Sequence, residues 1–315
     1  MRAIPLFTLL LGGWCVLPAY ADEAQDWLSR LGQAEQQQSF QGTFVYERNG
    51  SFSTHNIWHR VQDGKVRERL LQLDGSAQEV LRIDGHTQCV SGSLIAGLGN
   101  TPDGTTRTLD PQKLKNWYDL AVIGKSRVAG RQAVIVALTP KDQHRYGFEL
   151  HVDKETGLPL KSLLLNDKGQ LLERFQFTRL NVVAPTDEDL QASADCKVVA
   201  PDASKAVTAK AAWHSDWLPP GFELIASAVR KDPDSKAEVN SLMYEDGLAR
   251  FSVFLEPLNG ASATDTRTQL GPTAAVSRRL TTPQGEMMVT VVGEIPIGTA
   301  ERIALSMRSD VTAAQ

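Results

Sequence analysis

His55 and His59 stand four residues apart, the spacing at which two imidazoles on one helical face hold zinc. The residues between them, Asn56-Ile57-Trp58, lack the glutamate base of such a helix and read as a strand, where side chains four apart stand about 13 Å from each other. One ion cannot bridge that gap. His86, His144, His151 and His214 are scattered, and no Cys-x-x-Cys occurs, so no metal is expected. Gly124-Lys125-Ser126 matches the end of a phosphate loop, but Asp119 stands where the upstream glycine belongs, and a carboxylate there repels phosphate. There is no Gly-x-Ser-x-Gly elbow, and Ser91-Gly92-Ser93 has no base at a diagnostic spacing. Neither catalysis nor a cofactor is expected.

Binding is better represented than chemistry. Leu94, Ile95 and Leu98 lie in a run bounded by Gly92, Gly97 and Gly99, a composition that suits either an apolar flap over a hollow or a loop packed on the core. Phe44, Tyr46 and Trp58, on predicted strands, join them as candidates to face a lipid. Trp213, Trp217 and Phe222 are residues of the kind that anchor a partner, and equally of the kind that fills a small domain's own core.

With 33 Lys and Arg against 37 Asp and Glu, the 315-residue chain carries a net charge of −4 and offers phosphate no general attraction, so no nucleic-acid partner is expected. The apolar run 4–21 is broken by Pro5, Gly12, Gly13 and Pro18, which argues against a membrane span. Met1-Arg2, the apolar Leu6 to Leu11 and the small-x-small Ala19-Tyr20-Ala21 predict instead an export signal over 1–21, cleaved before Asp22. Cys15 is no lipid-attachment site, because Trp14 precedes it where a small residue is required. Cleavage removes one Arg and no acid, which takes the charge to −5. It leaves Cys89 and Cys196 in an oxidising compartment, where a disulfide and two unpaired buried thiols are both open to them. A bridge over about 107 residues would contribute roughly 4 to 5 kcal/mol.

The elements that must position these residues follow from period and turn chemistry. Trp27, Leu31 and Ala34 form one apolar stripe on a helix over 23–38. Asn49-Gly50, Asp63-Gly64, Asp74-Gly75 and Asp84-Gly85 mark tight hairpin turns, and Ala129-Gly130, Glu155-Thr156-Gly157 and Lys168-Gly169 punctuate further β-rich runs. About nine to eleven antiparallel strands result, too many to stay flat, so the sheet must curl. Its hollow is filled by helices or encloses a ligand. Asp110 and Pro111 open a second helix over 111–118. Pro185, Asp187-Glu188-Asp189 and the Ala/Ser/Lys-rich stretch beyond mark 184–211 as a linker between a domain at 22–183 and a smaller α+β domain at 212–315. That domain has strands at 223–230, 241–244, 248–256 and 287–293, and a last helix opening near Thr299 with Ala300, Ile303, Ala304 and Met307 on one face.

Six stretches, in this order, resemble the MucB/RseB family of periplasmic sigma-factor regulators. In the first domain these are 27–46 (WLSRLGQAEQQQSFQGTFVY), Tyr118-Asp119-Leu120 with 124–131 (GKSRVAGR), and 153–177 (DKETGLPLKSLLLNDKGQLLERFQF). In the second they are 217–222 (WLPPGF), 244–256 (YEDGLARFSVFLE) and 291–307 (VVGEIPIGTAERIALSM). The resemblance implies a large N-terminal domain like the lipoprotein carriers of the LolA/LolB type, a curled antiparallel half-barrel with helices in its concavity. It also implies a negative regulator that binds the periplasmic segment of a transmembrane anti-sigma factor of the MucA/RseA type and shields it from regulated proteolysis. Lipopolysaccharide or another lipid is the implied releasing signal, and control of alginate production and the envelope stress response is the implied output. The rival is a simple periplasmic carrier of lipid or lipoprotein, which would use the same hollow. No family residue roles transfer to single positions.

Overall fold

The computed structural model describes residues 19–92, 109–199, 207–208, 212–231, 237–260, 263–282 and 285–310. The start of the expected leader and the candidates Leu94, Ile95 and Leu98 lie outside the described residues.

The protein is mostly β. Helix α1 (Ala19–Gln37) precedes five strands in sequence, β1 (Phe40–Arg48), β2 (Ser51–Gln62), β3 (Lys65–Gln72), β4 (Glu79–Ile83) and β5 (His86–Val90). A one-turn helix α2 (Pro111–Leu114) then leads into β6 (Tyr118–Val128), β7 (Arg131–Pro140), β8 (Gly147–Asp153), β9 (Pro159–Leu165) and β10 (Leu171–Asn181). Each set is a meander, and the pairing of β1 with β10 joins them into one antiparallel sheet of order β11-β5-β4-β3-β2-β1-β10-β9-β8-β7-β6, closed by the short β11 (Lys197–Val198). The turns are those the sequence specifies: Asn49-Gly50, Asp63-Gly64, Asp84-Gly85 and Ala129-Gly130 all have positive φ at both positions, the mirror-image geometry that matches the twist of the flanking strands. The sheet curls until β6 approaches β10 across three intervening strands.

The inner face of that curl holds one long helix, α1, laid against β6 and β7. Ala24 and Leu28 are its fully buried residues, packed with Leu120, Val136 and Leu138, while Trp27 and Leu31 of the expected stripe are only partly buried. The second helix is one turn long, not eight residues: Asp110 caps it by accepting from the Gln112 and Lys113 amides, and Tyr118 already opens β6. Among the described residues, helical filling of the concavity is therefore thinner than expected.

A second sheet, β12-β14-β15-β16-β19-β18-β17, follows. Its strands are β12 (Val207–Thr208), β14 (Glu223–Lys231), β15 (Glu238–Glu245), β16 (Arg250–Pro257), β17 (Thr266–Leu270), β18 (Thr273–Thr282) and β19 (Gly285–Gly293). The hairpin β17–β18 had no counterpart in the sequence reading. Helix α3 (Ile297–Ser306) covers one face with Ala300, Ile303 and Ala304 fully buried. It opens two residues before Thr299, behind Pro296, whose φ of −56° suits a helix entry. Met307 is buried as expected, but in the strand β20 (Met307–Ser309), which pairs with β13 (Trp213–Ser215).

The first part of the expected linker is strapped to the first sheet. Arg60 donates to Asp187 at 2.7 Å, Arg69 to the Asp189 carbonyl at 3.0 Å, and Leu190 is fully buried. Glu79, 1% exposed, accepts from Arg69 Nε at 2.6 Å and from both the amide and the hydroxyl of Ser193. Cys89 and Cys196 are disulfide-bonded, which resolves the two alternatives left open above, and β11 pairs with β5 beside the bond. Of the acidic run that signalled a solvated linker, Asp187 is the carboxylate partner of a strand arginine, while the Asp189 carboxylate accepts from the Thr186 amide and hydroxyl.

Candidate functional site

Nucleophilic chemistry has one spatial candidate. Ser126 Oγ lies 2.7 Å from His151 Nδ1, and His151 Nε2 lies 2.9 Å from Glu149. Burial holds the His151 pKa below the ordinary histidine value, so the ring is a neutral base at pH 7. All three residues lie within paired strands, Ser126 on the edge strand β6 and Glu149 and His151 on β8. The chain is a hydrogen-bonded sheet network. His55 and His59, 8% and 6% exposed, are core residues stacked on Phe44 and Phe40 at centroid distances of 5.0 and 4.7 Å. Among the described residues no group of three or more His, Cys, Asp or Glu could hold a metal ion.

The lipid candidates do not share one surface. Phe44 pairs across the sheet with His55, and Gln41 with Trp58, so strand alternation puts Phe44 and Tyr46 on the inner face and Trp58 on the outer one. Trp58 stacks under Arg69, 4.9 Å from ring centroid to guanidinium, next to the strap. Phe44 is 7% exposed and packs with Phe175 and Phe177, whereas Tyr46 is half-buried and donates to Glu173 at 2.6 Å. Burial, with the Glu173 carboxylate next, pushes the Tyr46 pKa well above the phenol range. The inner face near β1 and β10 is thus an aromatic row ending in a polar pair.

That pair lies at the seam where the two units meet. Arg48, 3.8 Å from both Glu173 and Glu294 of the second unit, also donates to Thr273. Burial, reinforced by the nearby Glu294 charge, raises the Glu173 pKa despite the Tyr46 and Arg48 contacts. Further along, Tyr146 donates to the Ile295 carbonyl at 3.1 Å, and His144 Nδ1 meets Thr299 Oγ1 at 3.1 Å. His144 also sets its ring edge-on to Trp217, whose other contact is Arg302 at 3.8 Å. In the middle Arg145 pairs with Asp246 at 2.6 Å, both side chains 0% exposed. Lys113 and Glu223 close the far end at 2.9 Å. Beside the seam a cleft of about 620 Å³ has Ile123, Phe148 and Leu165 among its walls and Asp142 and Arg145 at its seam side.

Of the partner candidates, Trp213 and Phe222 are 6% and 5% exposed in the second unit's core, and Trp217 is partly buried at the seam. Their weight falls on holding the unit together and on docking it. The residues that sequence reasoning missed, His144, Arg145, Tyr146 and Asp246, come from two turns about a hundred positions apart. The Asp246-Gly247 pair is a turn signal that could have marked the second of them.

The family description "MucB/RseB N-terminal domain" matches residues 23–195, and "MucB/RseB C-terminal domain" matches residues 207–308. The chain belongs to the MucB/RseB family. It is 61% identical over 319 residues to the sigma factor AlgU regulatory protein MucB of Pseudomonas aeruginosa, covering 99% of each chain. A crystal structure of MucB in complex with MucA(peri) matches at 61% identity with a TM-score of 0.81, covering 92% of this chain and 100% of that one. A crystal structure of MucB matches at 60% identity with a TM-score of 0.69, covering 91% and 98%. MucB/RseB proteins are regulators and not enzymes. The family match also ends its first domain at 195, within the strap and before β12.

Proposed function

We propose that this chain binds the periplasmic segment of a membrane-anchored anti-sigma factor of the MucA type, keeps the segment from the protease that would cut it, and so restrains sigma-factor-dependent transcription. The observation that carries this is the match, at 61% identity over nearly all of this chain, to a protein crystallised in complex with MucA(peri). The reading places the protein in the periplasm after cleavage of residues 1–21. Three facts support that: the Cys89–Cys196 bond, which suits an oxidising compartment, the lack of any helix among the described residues long and apolar enough to cross a membrane, and the periplasmic partner of the relative. Units at 22–199 and 207–310, joined by a short tether, adjust the sequence-derived boundaries to the strap.

Protection is steric. A protease must draw its substrate in as an extended strand, and a segment ordered across two units cannot be drawn in until both let go. The first unit is a trough of the LolA/LolB type, and its aromatic row at Phe44, Phe175 and Tyr46 is the seat for a lipid acyl chain. Because the row ends at Glu173 and Arg48 on the seam, an occupant there bears on how the units dock. Lipid favouring a different docking lowers affinity for the anti-sigma segment, and the segment lowers affinity for lipid by the same factor. The relative is a regulatory protein of sigma factor AlgU, and the family resemblance implies control of alginate production as part of the output.

The test mixes full-length protein with the anti-sigma periplasmic segment. A stable complex that slows cleavage of the segment, and loses affinity in saturating lipopolysaccharide, is expected. Stoichiometric transfer of lipid to an acceptor with no anti-sigma complex would favour a carrier instead.

A further inference from the structure

Among the described residues three ion pairs cross the seam, and they differ in burial. Lys113–Glu223 has side chains 47% and 64% exposed and Arg48–Glu294 has 34% and 42%, so water and salt weaken both. Arg145–Asp246 is 0% exposed on both sides. Each partner is fixed by its own unit. Asp142 takes Nε and Nη2 of Arg145 at 3.2 and 2.9 Å, and Asp246 Oδ1 accepts from the Leu248 and Ala249 amides at 2.9 and 2.7 Å. What remains of each group points across the seam: Nη1 to Asp246 Oδ2 and Nη2 to the Pro220 carbonyl, both at 2.6 Å. Rings from both units surround the guanidinium, Trp117 at 5.6 Å, Tyr118 at 5.7 Å and Phe222 at 5.2 Å. Gly221, at φ +87°, carries no side chain where a Cβ would enter the Trp117 indole, so the ring and the backbone close on each other.

We propose that Arg145 is the positioning residue of the seam, holding through Asp246 the arrangement of the two units in which the anti-sigma segment binds. The proposal rests on the partner reading above and adds the residue that sets its geometry. Removing the guanidinium leaves the Asp246 carboxylate buried with no cation beside it, only the Tyr118 hydroxyl at 3.5 Å and its own turn amides, and only while the seam is closed, because opening the seam returns that carboxylate to water. The loss therefore falls on the closed arrangement and leaves each unit's own core intact.

Full-length protein with Arg145→Met, Arg145→Lys and the double change Arg145→Met/Asp246→Asn is compared with the parent. The readouts are radius of gyration by solution scattering, affinity for the anti-sigma periplasmic segment, and thermal unfolding. Arg145→Met is expected to enlarge the radius and weaken binding on the order of a hundredfold, with the unfolding midpoints in place. Lysine keeps the charge but loses the Asp142 fork, and falls between. The double variant buries no charge yet keeps the acceptor for Leu248 and Ala249, so it is expected to recover most of both compactness and affinity. Parental radius and affinity in Arg145→Met overturn the proposal. So does weakened binding at unchanged radius, which would make Arg145 a contact of the segment. Should the parent itself fail to bind the segment, the partner reading fails, while the radius still decides whether Arg145 holds the seam.

Discussion

Asp153 shows how one carboxylate can be worth more than its charge. It is 1% exposed and receives both arms of the Arg131 fork at 3.0 and 2.8 Å, together with the amide and hydroxyl of Thr156 at 3.0 and 2.6 Å. Burial alone would raise its pKa, but the donors of Arg131 and Thr156 outweigh that and hold it below the ordinary carboxylate value. A depressed folded pKa gives stability that is present above the unfolded value, about 3.9, and is lost as pH falls through the folded one. Asp153→Asn is therefore expected to lower stability by about 2 to 4 kcal/mol at pH 7, with the gap to the parent narrowing below about pH 4. Urea denaturation across that range measures both, and a gap that stays constant with pH would refute the charge argument. Single residues were the least legible level of the sequence. Phe44 and Trp58 looked alike in composition, and only the register of β1 on β2 separates their faces.

Elements were read more faithfully, because turn chemistry is local. An Asn-Gly or Asp-Gly pair adopts positive φ at little cost, so three of the four hairpins of the first meander could be placed without knowing what they pack on, whereas Asp74-Gly75, with positive φ at the glycine alone, lies in a longer β3–β4 connection than the expected tight turn. The strap could not be placed that way. Its aspartates and serines carry no period, and they become structure only when Arg60, Arg69 and Glu79 meet them from strands more than a hundred positions earlier. The pairing of Cys89 with Cys196 was likewise permitted by the sequence but set by β11 lying on β5. In Cys196→Ser the amides of β5 and of Val199, which donates to Gln88 at 3.0 Å, are expected to exchange hydrogen markedly faster, while those of β6 and β7 under α1 keep their protection. The first unit should lose up to about 4 to 5 kcal/mol. Unaltered exchange at β5 would mean that Glu79 and Ser193 hold the strap without the bond.

At the level of the whole molecule, the strap decides how long the tether is. With β11 fixed to the β5 edge, only residues 200–206 separate the first unit from β12. So short a connection keeps the second unit at an effective concentration in the millimolar range beside the first, which raises the population of the closed seam without adding a contact. The sequence suggested a tether but not its length, since 184–199 has the composition of a linker and the contacts of a folded edge. A protease site placed within 200–206, cleaved after folding, removes this advantage and leaves every seam contact available. At micromolar protein the cleaved halves are expected to bind the anti-sigma segment 10²- to 10³-fold more weakly than the uncut chain, and to regain affinity as their concentration is raised. Equal affinity before and after cutting would mean that the seam contacts, or one unit alone, hold the segment without help from the tether.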